Sequence, residues 1–130
     1  MIITLDTSIL IDLEKGRKQT IDGIQKLRLI YRDAPLLMFV PYLEFYLGIL
    51  ERQPKRFEKG YNFLQEMCFL RLTKRTAEIV AELKKKYDKK GFVLPVSNML
   101  IAAQVKENNL LLVTKDKDFE QIDEIRKVIL

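Results

Sequence analysis

The chain alternates short apolar runs with longer segments whose apolar residues recur at spacings of three and four. "IITL" (2–5), "LLMFV" (36–40), "CFLRL" (68–72) and "LLLV" (110–113) read as strands, and "IRKVIL" (125–130) as a last one. Between them the pattern predicts helices over "SILIDLEKG" (8–16), "RKQTIDGIQKLRLIYR" (17–32), "PYLEFYLGILE" (41–51), "PKRFEKGYNFLQEM" (54–67) and "KRTAEIVAELKKKYDKK" (74–90). Pro41 and Pro54 suit first helical positions. Leu43, Leu47 and Leu50 form a stripe on the third helix, and Val80, Leu83 and Tyr87 an inward stripe on the fifth. Thr73 is its expected cap and Gly91 its stop. A sixth helix opens at "PVSNMLIAA" (95–103), with Ser97 as N-cap and Asn98 on the inward side of an Ile101, Ala102, Val105 stripe. "DKDFEQI" (116–122) reads as a short helix.

Strands that are apolar throughout, alternating with helices, imply a parallel sheet covered on both faces. The expected fold is a three-layer α/β/α domain spanning residues 1–130, with a mainly parallel sheet of four to five strands. In such folds ligands gather at the carboxyl ends of the strands, where strand order reverses.

At 130 residues, 48% apolar and 32% charged, the composition is that of one globular domain. The start has no basic n-region, and Asp6 and Asp12 interrupt its apolar run, so no secretory signal is expected. No stretch is apolar for long enough to span a membrane. A lone cysteine, Cys68, suits a reducing cytoplasm. With no histidine and one cysteine the usual zinc ligands are missing, and a bound metal would take oxygen ligands, as Mg2+ or Mn2+ does. The net charge is +5, of which "KKKYDKK" (84–90) supplies +4. Those lysines complement a helix C-terminus, or, with Lys115, contact RNA phosphates; Lys84, Lys85, Lys86 and Lys115 are the candidates for the second role.

Four polar residues fall where strands end. Asp6 closes the first strand, Glu44 follows the second, Asn98 opens the sixth helix, and Asp116 follows the fourth strand. Each has an ordinary structural explanation. Asp6 or Ser8 caps the first helix, Glu44 sits at a helix's positive end, and Asp116 or Asp118 caps the last short helix. Their convergence on one edge is not required by capping. Two carboxylates about 4 Å apart repel by roughly 4 kcal/mol at an effective dielectric of 20, so clustered acids must splay, bind protons or bind a cation. Gly48, one turn beyond Glu44, costs a helix about 1 kcal/mol relative to alanine, which points to a close backbone approach.

"ITLDTSILID", "PYLEFYLGI", "PVSNMLIAA" and "LLVTKDKDF" stand in the order and approximate spacing of the PIN-domain ribonucleases, and the chain most resembles their VapC-type toxins along essentially its whole length. The resemblance implies a compact nuclease that cuts RNA with Mg2+ or Mn2+, dimerises with itself, and is held inactive by a cognate antitoxin. It assigns Asp6, Glu44 and Asp116 to the metal, with Asp118 as an accessory metal-site acid present in some members, and Thr7 and Thr114 to orienting the acids. Asn98 departs from the pattern, because the family normally carries an Asp there. An amide keeps one carbonyl oxygen but loses a charge and gains a donor, so weakened catalysis is expected.

Two other classes compete. A PIN-like module could bind RNA or protein without cutting, and the aromatics Phe45, Tyr46, Phe57, Tyr61 and Phe63 could supply a surface for an antitoxin helix or a second copy. A magnesium-dependent phosphatase of the haloacid-dehalogenase kind needs an acid where Ser8 stands. A receiver domain needs an Asp after a central strand, which "CFLRLTK" does not offer. No glycine-rich phosphate loop is present.

Overall fold

A computed structural model describes residues 1–130. Five parallel strands, β1 (Ile3–Leu5), β2 (Leu36–Leu37), β3 (Cys68–Phe69), β4 (Leu111–Thr114) and β5 (Arg126–Ile129), form one sheet in the order β3-β2-β1-β4-β5. The chain adds β2 and β3 on one side of β1, then crosses to the other side for β4 and β5. The switch point therefore lies between β1 and β4, whose register pairs Ile3 with Leu111 and Leu5 with Val113.

Six helices flank the sheet: α1 (Thr7–Lys15), α2 (Lys18–Ile30), α3 (Phe39–Ile49), α4 (Pro54–Gln65), α5 (Lys74–Lys89) and α6 (Val96–Glu107). Alternate residues of β4 feed different cores. Leu111 and Val113 pack with Ile9, Leu10, Ile24, Phe45 and Leu64 from α1 to α4. Leu112 packs with Ile79, Leu83, Met99 and Ala102 from α5 and α6. The expected three-layer α/β/α fold is what forms.

The strand after Pro35 is shorter than its apolar run. Only Leu36 and Leu37 pair, and α3 begins at Phe39, so Pro41 is the third helical residue and not the first. The cause is tertiary: the Phe39 N–H donates to Oε1 of the wholly buried Gln104 (3.0 Å), whose Nε2 donates to the Leu70 carbonyl (3.1 Å). One glutamine thus caps α3 and ties off the end of β3, which also stops short of its apolar run. Pro95, and not Ser97, is the N-cap of α6, with no side-chain cap bond. Thr73 does cap α5, in a reciprocal capping box with Thr76. Pro41, Phe45 and Ile49 form the buried face of α3, leaving Leu43, Leu47 and Leu50 exposed.

Candidate functional site

Asp6 leaves β1 at the switch point and serves as N-cap of α1. The Thr7 N–H donates to its Oδ1 (2.7 Å), and the Thr114 hydroxyl, from the end of β4, donates to its Oδ2 (2.6 Å). Asp6 is only 7% exposed. Thr114 Oγ1 also accepts the Asp116 N–H (3.0 Å), so a single hydroxyl links the acids that follow two adjacent strands. Asp116 caps the 3-10 helix Lys117–Gln121, its Oδ1 accepting the Asp118 N–H at 2.9 Å. From the other flank the Thr7 hydroxyl donates to Glu44 Oε1 (2.5 Å). Glu44 lies in the second turn of α3, a consequence of that helix's early start.

The electrostatics follow from this grouping. Burial, with the Glu44 and Asp116 carboxylates behind it, pushes the Asp6 carboxyl above the usual carboxylate range, against the hydrogen bonds from Thr114 and Thr7. Glu44 Oε2 and Asp116 Oδ2 make no hydrogen bond with the protein. The three acids share one rim, yet no three acids stand close enough to hold a metal ion as arranged. The tight crowding expected from the sequence is thus corrected: like charges keep apart, and threonine hydroxyls take up the oxygens that face inward.

Asn98 is the third residue of α6 and is 9% exposed. It makes no side-chain hydrogen bond, and no fully buried side-chain polar atom of the protein lacks one, so its amide opens to solvent. Helix α6 reverses directly into β4, with the Leu110 N–H returning to the Val105 carbonyl (3.0 Å). Its first turn therefore points back toward the edge at which β4 ends.

Other expectations fare differently. An added Cβ on Gly48 would meet nothing within 4 Å, so no close approach explains that glycine. The close approach is at Gly60, where a Cβ would stand 2.6 Å from Ile49 and 3.0 Å from Arg52. Of the four lysines, Lys84 pairs with Asp88 (3.0 Å), Lys86 with Glu124 and Lys115 with Asp12, leaving Lys85 unpaired. Phe45 is buried, Tyr46, Phe57 and Phe63 are half-buried, and Tyr61 is exposed.

Sequence reasoning passed over Asp12, a carboxylate 7% exposed on α1. Thr20 Oγ1 donates to its Oδ2 (2.7 Å), Arg17 Nε stands 3.3 Å from Oδ1, and Lys115 completes the set. These contacts, led by Lys115 and Thr20, hold Asp12 below the usual carboxylate range. An acid inside the apolar stretch "SILIDL" was the available signal.

A family model described as "PIN domain" matches residues 3–125. No curated protein sequence matches the chain. Among solved structures, VapBC2 from Rickettsia felis bound to a DNA fragment from its promoter superposes with TM-score 0.85 at 19% identity, covering 100% of this chain and 99% of that one. VapBC-1 from nontypeable Haemophilus influenzae gives 0.83 at 22% identity, covering 99% and 98%. FitAcB from Neisseria gonorrhoeae gives 0.75 at 18% identity, covering 97% and 96%. At these identities the likeness is one of fold.

Proposed function

The chain belongs to the PIN-domain family, and from that premise we propose that it is a divalent-metal-dependent endoribonuclease, the toxin of a toxin–antitoxin pair. The observation that carries the reading is the Thr114 hydroxyl, which holds Asp6 and the Asp116 backbone together at the switch point. Asp6, Glu44 and Asp116 would hold Mg2+ or Mn2+ once their carboxylates turn closer together than they stand here. Their donor set is all oxygen, and two of the carboxylates keep an oxygen free of protein hydrogen bonds. Burial above all, with a lesser push from Glu44 and Asp116, raises the Asp6 pKa, and a cation beside it would favour the ionised form. A bound ion would supply the Lewis acidity for hydrolysis of an RNA phosphodiester. The protein's own part is positional. Thr7 and Thr114 fix the Glu44 and Asp6 carboxylates, Asp118 steadies Asp116 through its amide, and Asn98 presents a neutral group at the rim. That amide is the proposed cause of slow turnover.

Of the basic candidates, Lys85 is free to meet an RNA phosphate. The proposed protein partners are an antitoxin and a second copy of the chain. The exposed Leu43 and Leu47 of α3, with Leu50 just past its end, offer the second copy an apolar face beside Tyr46 and Tyr61. Light scattering should report a dimer that Leu47→Glu converts to monomer; a monomer before substitution overturns that assignment. No helix is long and apolar enough to cross a membrane.

The test of activity is Asn98→Asp. It should raise Mn2+-dependent cleavage of a mixed RNA pool at least several-fold. No gain at any Mn2+ concentration would contradict the role given to position 98. RNA binding that persists unchanged in Asp6→Ala, with no cleavage by either chain, would favour a binding module.

A further inference from the structure

We infer that Asp12 is a positioning residue, which through Lys115 fixes the strand-exit segment carrying Asp116. The inference rests on the metal site proposed above. Thr114, Lys115 and Asp116 leave β4 in succession, and each is tied to a different part of the molecule. Thr114 holds Asp6 at the end of β1. Lys115 reaches Asp12 in the middle of α1. Asp116, in extended conformation (φ −84°, ψ 111°), turns its carboxylate to the Asp118 amide. Successive side chains of an extended segment leave on opposite sides. Anchoring Lys115 on one side therefore sets the direction in which Asp116 leaves on the other.

Stability alone does not call for this arrangement. The Asp12 side chain is 10% exposed, but its partners Lys115 and Arg17 are 42% and 63% exposed, and ion pairs with partners so open to water contribute only about 0–1 kcal/mol. Asp12 nevertheless sits within an apolar helix and collects donors from three places: the α1–α2 turn (Arg17), α2 (Thr20) and the β4 exit (Lys115). Arg17 and Thr20 orient Asp12 locally, and Lys115 carries that orientation to the rim. Lys115 is thereby committed to the protein and is not free for a phosphate, contrary to the role first expected of it.

The sign of one substitution separates positioning from simple electrostatics. Lys115→Met removes a positive charge next to Asp116, which by charge alone should tighten cation binding. Lost positioning should weaken it. The experiment is calorimetric titration of Mn2+ into the chain and into Asp12→Asn, Lys115→Met, Lys115→Arg, Thr20→Val and the Asp12→Asn/Lys115→Met double variant, with thermal midpoints measured without metal. Asp12→Asn and Lys115→Met should each weaken Mn2+ binding on the order of 10-fold, and the double variant should be no weaker than either. Lys115→Arg should retain most of the affinity, and Thr20→Val, which loosens Asp12 but leaves its pair with Lys115, should weaken Mn2+ binding less than Asp12→Asn does.

Unchanged or tighter binding by Lys115→Met overturns the inference, as does weakening by Lys115→Met that Asp12→Asn does not share. Lys115 is at the surface, so its variants decide the matter even if Asp12→Asn fails to fold. An unaltered chain that binds no Mn2+ removes the metal site and this inference together. A chain that binds it as tightly as every variant removes the inference alone.

Discussion

Helix α1 carries acids at both ends, under opposite conditions. At its last turn Glu14 receives two 2.7 Å hydrogen bonds from the Arg52 guanidinium, and the two side chains are 4% and 18% exposed. At its start Asp6 is nearly as buried but has only a backbone amide and a threonine hydroxyl for partners, with Glu44 and Asp116 within electrostatic reach. The hydrogen bonds from Arg52 hold the Glu14 carboxyl below the usual range, whereas burial and like charge push Asp6 above it. A matched pair locks helices together. An unmatched cluster costs stability and persists where a ligand can use it. The contrast is the physical ground on which the metal site is proposed at the rim of β1 and β4.

The largest effect should come from breaking the matched end. Arg52→Met leaves Glu14 buried without its partner and should cost roughly 3–5 kcal/mol in urea unfolding; a loss below 1 kcal/mol would erase the contrast. The pair should also respond to acid. Its stabilisation is fully present above the unfolded pKa of about 4.3 and is lost as pH falls through the lower folded value, so the difference between the unaltered chain and Glu14→Gln should shrink below about pH 4. Next in size is Gly60→Ala. Its Cβ would press on Ile49 and on the Arg52–Glu14 pair, at a cost of about 1–3 kcal/mol. Gly48→Ala has the opposite sign. Its Cβ meets open space, so the helix should gain up to about 1 kcal/mol. Smallest is Asp6→Asn without metal, which should raise the thermal midpoint slightly; a clear fall would mean that Asp6 is chiefly a cap.

Much of this was legible in the sequence, for identifiable reasons. Short apolar strands alternating with helices sufficed for the layers, and the acids Asp6, Glu44 and Asp116 stand near one another through Thr7 and Thr114, while no contact ties Asn98 to them. What local pattern could not supply was the partner across space. Helix α3 is apolar nearly all round, so two stripes competed, and the buried one proved to be Pro41, Phe45 and Ile49, with Leu43, Leu47 and Leu50 outside. Its start depends on Gln104, 65 residues away in sequence. Gly48 stood out because it follows Glu44, while Gly60, the glycine that packing requires, lies on a helix whose neighbours no spacing reveals. Lysine content pointed to RNA contacts, but a count of charges does not show that Asp12, Asp88 and Glu124 already hold three of the candidates.

The central claim is that acids delivered by the ends of β1, β4 and α3 act together on one cation. Calorimetric titration with Mn2+ tests it most directly. The unaltered chain should bind saturably, and both Asp6→Ala and Asp116→Ala should abolish that binding while remaining folded by circular dichroism. Mn2+ binding of equal strength in the unaltered chain and in both variants, or no binding in any of them, would contradict it.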